Sequence, residues 1–243
     1  MNNKKEFQDK LDQPFPMWFM LLIPFYVVLV LSIFVFPFAG DWRWTIGWIF
    51  VISLAINIFV CYVIINKKNP RVLHNRSKLK KTGLTSKTRQ AASSDRLIFP
   101  LMAIGFFGAM ILPALGHRFG WFTLPFPIAI VGVIAMNVGV SIINIATLQN
   151  SYASKILDIN KGQVLVDTGM YSHVRHPLYS GAVVMGIFIP IALGSIWGLI
   201  PGLFSVAMLV WRIEFEEEML LKGMDGYADY QTRVKYKLIP KIY

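Results

Sequence analysis

The chain has 243 residues, 55% of them hydrophobic, 14% aromatic and only 15% charged, with a formal net charge of +11 and a mean hydropathy of +0.54. That balance excludes an ordinary soluble domain and an intrinsically disordered chain, and marks an integral membrane protein. The basic excess reads as membrane topology and attraction to anionic lipid headgroups rather than nucleic-acid binding, and the single cysteine, Cys61, excludes an intramolecular disulfide.

In chain order, "MNNKKEFQDKLDQ" precedes an apolar run longer than the core of a signal peptide and lacks a small-residue cleavage site, so retention is expected. Charge-free stretches then run over 13–40, 44–66, 97–116, 119–154 and 177–211, each long enough for the roughly 20 apolar residues that cross a bilayer core. The last would reach about 52 Å as one helix. Pro190, Gly194 and Gly198 interrupt it near its middle, which predicts a tight hairpin. The expected fold is therefore all-α and polytopic, with six transmembrane helices at about 17–38, 44–66, 97–115, 125–148, 177–192 and 196–212.

Six spans put both termini on one side. They also leave only Arg43 and Arg118 outside, with the other 22 of 24 Lys and Arg residues inside, as the positive-inside rule requires. Residues 67–96, with ten basic residues and one acid, read as a basic cytoplasmic loop. The organisation expected is residues 1–148 as N-terminal transmembrane helices and 149–243 as a region carrying a cytoplasmic site. "GSIWGLIPG" spaces Gly194, Gly198 and Gly202 four apart, a pattern suited to close helix packing. The chain contains no G-x-G-x-x-G, so a Rossmann-type cofactor domain is not expected.

The chemistry gathers around "GMYSHVRHPLYSG" and "WRIEFEEEMLLKGMDGYADY". Proline favours the first helical turn and disfavours helix before it, so the fifth span should start at Pro177 with His176 at its cap. The N–H groups of that helix start attract a carboxylate or phosphate. Arg212 and Glu216 share a helix face at i,i+4, and Glu217 follows. If the hairpin packs, its two polar ends become neighbours, a pairing suited to a zwitterionic ligand with cation–π contact from Tyr171 and Tyr179. An interfacial ion pair, tyrosine anchors and a headgroup-binding patch are the plainer readings of the same residues. His173 and His176 lack cysteine or carboxylate partners at ligand spacing, and no metal site is expected.

These motifs, R-H-P-x-Y with R-x-x-x-E-E and Y-x-x-Y across about residues 145–243, resemble the isoprenylcysteine carboxyl methyltransferase family and the related phospholipid methyltransferases, most of all their bacterial membrane members. The resemblance implies a multi-pass bacterial inner-membrane protein with cytoplasmic termini. It implies S-adenosylmethionine as methyl donor and a lipophilic or lipidated acceptor drawn from the membrane lipid, such as an isoprenylcysteine-like carboxylate. Carried over by motif, cofactor contacts would come from Gln163, Val164, Leu165, Val166, Tyr171, His176, Pro177, Leu178, Tyr179, Arg212 and Glu216. Arg175 or Arg212 would orient the acceptor and Glu217 is the second acid of the family's pair, which makes these three the expected catalytic residues; Asn150 is a candidate on the preceding helix.

Two other functions compete. Membrane sterol reductases using NADPH resemble the chain in the His-Pro and tyrosine-rich regions, but tend to have Asn after His-Pro and lack the paired glutamates, whereas this chain has "RHPLY" and Glu216–Glu217. A nonenzymatic lipid-binding membrane protein is the reading from a different class.

Overall fold

The computed structural model describes residues 12–77, 86–150 and 164–243, and among these every regular element is helical. The elements are α1 Met17–Ala39, α2 Thr45–Lys68, α3 Pro70–Ser77, α4 Ser86–Phe119 and α5 Phe126–Gln149, then a 3₁₀ turn Gly169–Ser172, α6 Pro177–Ala192, α7 Leu199–Gly223 and α8 Tyr227–Arg233. The helix ends follow from local sequence. Gly40 closes α1 in the left-handed region at φ 64°, donating its N–H to Phe36 O, while Pro125 and Pro177 open α5 and α6.

Four helices are long and apolar enough to cross a membrane: α1, α2, residues 95–119 of α4, and α5. Helix α6 is apolar but has only 16 residues, about 24 Å of helix. Helix α7 is apolar from Leu199 to Trp211 and then turns charged at "RIEFEEE". The two halves of the hairpin thus fall where the hydropathy placed them, with each apolar stretch shorter than a standard span. Part of the basic segment read as a loop is helical: α3 covers 70–77, and α4 begins at Ser86, well before its apolar stretch.

Packing closes a ring: α1 on α2, α2 on α5, α5 on α6, α6 on α7, α7 on α4, and α4 back on α1. The interior is filled by Val35, Phe36, Phe50, Val51, Met110, Met136, Ile189 and Leu193. Only 22–33% of each span's apolar window is buried, so most of that surface faces outward. On α1, for example, Phe25, Tyr26, Leu29 and Ile33 are all exposed, on the outward stripe expected where lipid is the solvent.

The hairpin depends on the absence of side chains at its crossing. A Cβ built on Gly202 would lie 2.2 Å from Gly186 O, so the two backbones touch. Gly198 is equally crowded, against Pro190 and Pro113. Gly194 does not share their helical face: it sits in the turn between α6 and α7 at φ 72°, where a side chain would be strained. The close crossing delivers the first turn of α6 to the charged end of α7.

Candidate active site

Arg175, in a bend, and His176, non-helical at φ −124° and ψ 61°, precede α6, and both side chains are buried. Glu217, one turn beyond the apolar part of α7, meets them. Arg175 donates from Nε to Glu217 Oε1 (2.6 Å) and from Nη2 to Oε2 (2.9 Å), a bidentate pair. His176 Nε2 lies 3.0 Å from Glu217 Oε1. An ionised carboxylate only accepts, so this geometry places the imidazole proton on Nε2. Tyr227 Oη and Gln231 Nε2 also donate to Glu217, each at 3.3 Å.

Burial alone would raise the Glu217 pKa. The hydrogen bonds from His176 and Arg175 and their charges outweigh it and hold the carboxyl well below the ordinary glutamate value, at about 2. Burial beside that carboxylate pushes the Tyr227 phenol far upward, so it stays a neutral donor.

The chain end holds the other side of this pair. Arg175 Nη1 donates to Val234 O (2.7 Å) and Lys235 O (2.9 Å), while the backbone N–H groups of Arg175 and His176 donate to Tyr236 O and Lys237 O at 2.9 Å each. Ser180 Oγ donates to Leu238 O at 2.6 Å. Five consecutive carbonyls, 234–238, are thereby tied to the segment around Pro177. Tyr230 Oη reaches Tyr171 O (2.7 Å), locking α8 to the 3₁₀ turn.

A second network lies one turn nearer the apolar core. Arg212, buried, donates from Nε to Asp95 Oδ1 (3.1 Å) and from Nη1 to Glu216 Oε2 (3.2 Å). Nη1 also donates to Tyr179 Oη, and that hydroxyl donates onward to Glu216 Oε2 (2.5 Å). The guanidinium carbon sits 4.8 Å from the Phe99 ring centroid and 5.5 Å from that of Tyr179. The Tyr179 ring in turn stacks on His176 at 5.5 Å. Glu216 keeps 22% of its side chain exposed, whereas Arg212 keeps 4%.

Most of the residues singled out in the sequence meet here. Arg175, His176, Pro177, Tyr179, Arg212, Glu216 and Glu217 gather at one end of the hairpin, and Leu178 lies half-buried in the first turn of α6. Tyr171 is buried, its hydroxyl 3.5 Å from Ala146 O on α5. Leu165 packs against the Tyr227, Tyr230 and Val234 cluster, Val166 is half-buried, and Val164 is exposed. Gln163 lies outside the described residues. Asn150 caps α5 with its N–H on Ala146 O, while the neighbouring Gln149 receives the Met170 N–H at 2.9 Å and underlies Gly169, whose φ is 61°.

Two contributors escaped the sequence. Asp95 and Phe99 stand one turn apart on α4 and hold Arg212 from a site 117 residues away in the chain. The tail carbonyls are backbone atoms and leave no residue signature. A Lys/Arg-rich segment ending in a single aspartate beside an apolar span was the one signal for Asp95.

Residues 129–222 match the isoprenylcysteine carboxyl methyltransferase (ICMT) family. Among solved structures, the eukaryotic intramembrane Ras methyltransferase ICMT without a monobody is similar at 20% identity, with 91% of this chain and 85% of that chain covered and a TM-score of 0.46. No curated protein matches the chain. The family segment spans α5, the Arg-His-Pro motif and the paired glutamates, and stops before the tyrosines of α8. The resemblance read from the motifs is thus borne out where the chemistry lies: residues 129–222 are similar to the isoprenylcysteine carboxyl methyltransferase family.

Proposed function

We propose that the protein is an integral membrane methyltransferase that uses S-adenosylmethionine to methylate a lipophilic acceptor carrying a carboxylate. The observation that carries this reading is the Arg212–Tyr179–Glu216 network, in which the two halves of the family signature touch at the polar end of a membrane hairpin. The donor set fits the cofactor in one respect: Glu216 presents a partly open carboxylate to an ammonium or ribose hydroxyl. When bound, S-adenosylmethionine supplies a sulfonium-activated methyl group.

The chain's own part is to bind, orient and exclude water. His176, Tyr179 and Glu216 would face the donor, with Tyr171, Pro177, Leu178 and the segment Val164–Val166 bounding it. Arg212 is the candidate for orienting the acceptor. Its Nε and Nη1 hold Asp95, Tyr179 and Glu216, and none of these bonds uses Nη2. Arg175 and Glu217 satisfy each other and the tail, which supports a positioning role for both rather than contact with the reacting atoms. A carboxylate acceptor is ionised near neutral pH and needs no strong general base.

In this reading α6 and the apolar part of α7 cross the membrane together with the four longer spans, with both termini and residues 67–96 cytoplasmic. Membranes containing the protein and supplied with isotopically labelled donor should yield a labelled, lipid-extractable, base-labile ester. A label that appears only in water-soluble products, or none above membranes lacking the protein, would contradict the proposal.

A further inference from the structure

Residues 238–243, "LIPKIY", form a closed turn beside the start of α6. The N–H groups of Leu238 and Ile239 donate to Tyr243 O (2.8 and 3.0 Å), and those of Ile242 and Tyr243 donate to Ile239 O (3.1 Å each). Lys241 takes the left-handed region at φ 68°, where the chain reverses. The turn is fixed to both halves of the hairpin. Ser180 Oγ, in the first turn of α6, donates to Leu238 O, and on α7 the Glu214 carboxylate accepts from Tyr243 Oη (2.7 Å) and Lys237 Nζ (2.5 Å). So braced, the turn presents apolar side chains outward. Ile242 is 77% exposed, and Ile239, Pro240 and Tyr243 are exposed as well, while Leu238 is buried. Four such side chains together form a patch that marks an interaction surface, where one alone would not.

The position of the turn names its partner. Glu214 lies three residues beyond Trp211, on the same side of α7, and Trp211 is exposed at the end of the apolar run. Ser180 lies where the apolar run of α6 begins. The turn therefore sits where both helices pass between polar and apolar surroundings, the level of the lipid headgroups. Lys235 and Lys241, both exposed, flank the patch with side chains that reach phosphates while their carbon stems follow apolar surface. Tyrosine is itself favoured at this boundary. We infer that residues 238–243 are a membrane-interface anchor, with Ile239, Ile242 and Tyr243 entering the boundary between headgroups and acyl chains and Lys235 and Lys241 holding lipid phosphates. The inference rests on the reading of α6 and the apolar part of α7 as membrane-crossing. Its consequence for the site is mechanical. Carbonyls 234–237, just before the turn, hold Arg175 and His176, so a turn seated in lipid fixes the Arg-His-Pro segment relative to the surface from which a lipophilic acceptor arrives.

The experiment measures fluorescence quenching on full-length protein in vesicles of phosphatidylcholine and phosphatidylglycerol. Ile242→Cys, Leu203→Cys and Asp229→Cys, each in a Cys61→Ser background, carry an environment-sensitive fluorophore. Leu203 is exposed on the apolar part of α7 and Asp229 is exposed on the polar helix α8, so all three sites tolerate a label. One quencher is iodide, present on both sides of the membrane, and the other is a lipid spin-labelled near the headgroup end of its acyl chain. The label at position 242 should be quenched several-fold less by iodide than the label at 229, and should be quenched by the spin-labelled lipid. Iodide quenching at 242 equal to that at 229, with the label at 203 shielded from iodide, would overturn the anchor alone. Shielding of 242 from both quenchers would also overturn it, because protein rather than lipid would then cover the turn. Iodide reaching the label at 203 would instead overturn the membrane-crossing reading on which the inference rests.

Discussion

Glu216 and Glu217 are adjacent in sequence and unlike in setting. Glu217 is buried among Arg175, His176, Tyr227 and Gln231, while Glu216 shares Tyr179 with Arg212 and stays partly open. Glu216→Gln keeps size and removes charge, and should weaken donor binding about ten- to a hundred-fold, the loss of a charge-assisted hydrogen bond. Glu218→Gln is the control, because Glu218 points away to an exposed pair with Lys222 and should bind donor as wild type does. Glu217→Gln should act on stability, since it leaves the Arg175 charge buried and uncompensated, at a cost of about 3–5 kcal/mol. Because the folded Glu217 pKa is depressed to about 2, its contribution is present above the ordinary value of 4.5 and disappears as pH falls from there toward 2. The gap in Tm between wild type and Glu217→Gln, measured along a pH series, should therefore close across that window; a gap independent of pH would show that the carboxylate is not the stabilising species.

At the scale of elements, span positions were readable because apolar runs and prolines act locally. Pro177 starts α6 where expected and α6 ends at the predicted residue 192, whereas α7 begins at Leu199 and runs on through the charged segment to Gly223, well past the predicted end at 212. The assembly of the site was only half readable. That Arg212 and Glu216 share a face follows from helical period, and their pairing with Tyr179 follows once the hairpin packs. The reach of α4 does not follow, because the Asp95–Arg212 bond depends on which helices become neighbours in the ring, and hydropathy says nothing about that order. Nor could residue types reveal that carbonyls 234–238 hold Arg175 and His176. The division at residue 148 is consequently one of sequence motif, since α4 from the first part completes the network of the second. The Gly186–Gly202 crossing tests the hairpin: Gly202→Val introduces a Cβ that would lie 2.2 Å from a backbone oxygen, forces the helices apart, and should destabilise the protein by about 1–3 kcal/mol or more. Donor binding should fall with it, and an unchanged Tm with full binding would show that the crossing does not set the site.

For the whole molecule, the ring of six helices, the outward apolar surface and the charged end of α7 describe a membrane protein with its polar chemistry at one face. The proposed topology predicts that, in a Cys61→Ser background, a reporter cysteine at position 85 is shielded from an impermeant thiol reagent on intact cells and one at position 120 is labelled. The reverse pattern would put the site in the wrong compartment. The central claim concerns the donor, and calorimetry on the purified protein with S-adenosylmethionine and with NADPH tests it most directly. The account predicts saturable binding of S-adenosylmethionine, weakened by Glu216→Gln, and no comparable binding of NADPH; tight NADPH binding without detectable S-adenosylmethionine binding would contradict it.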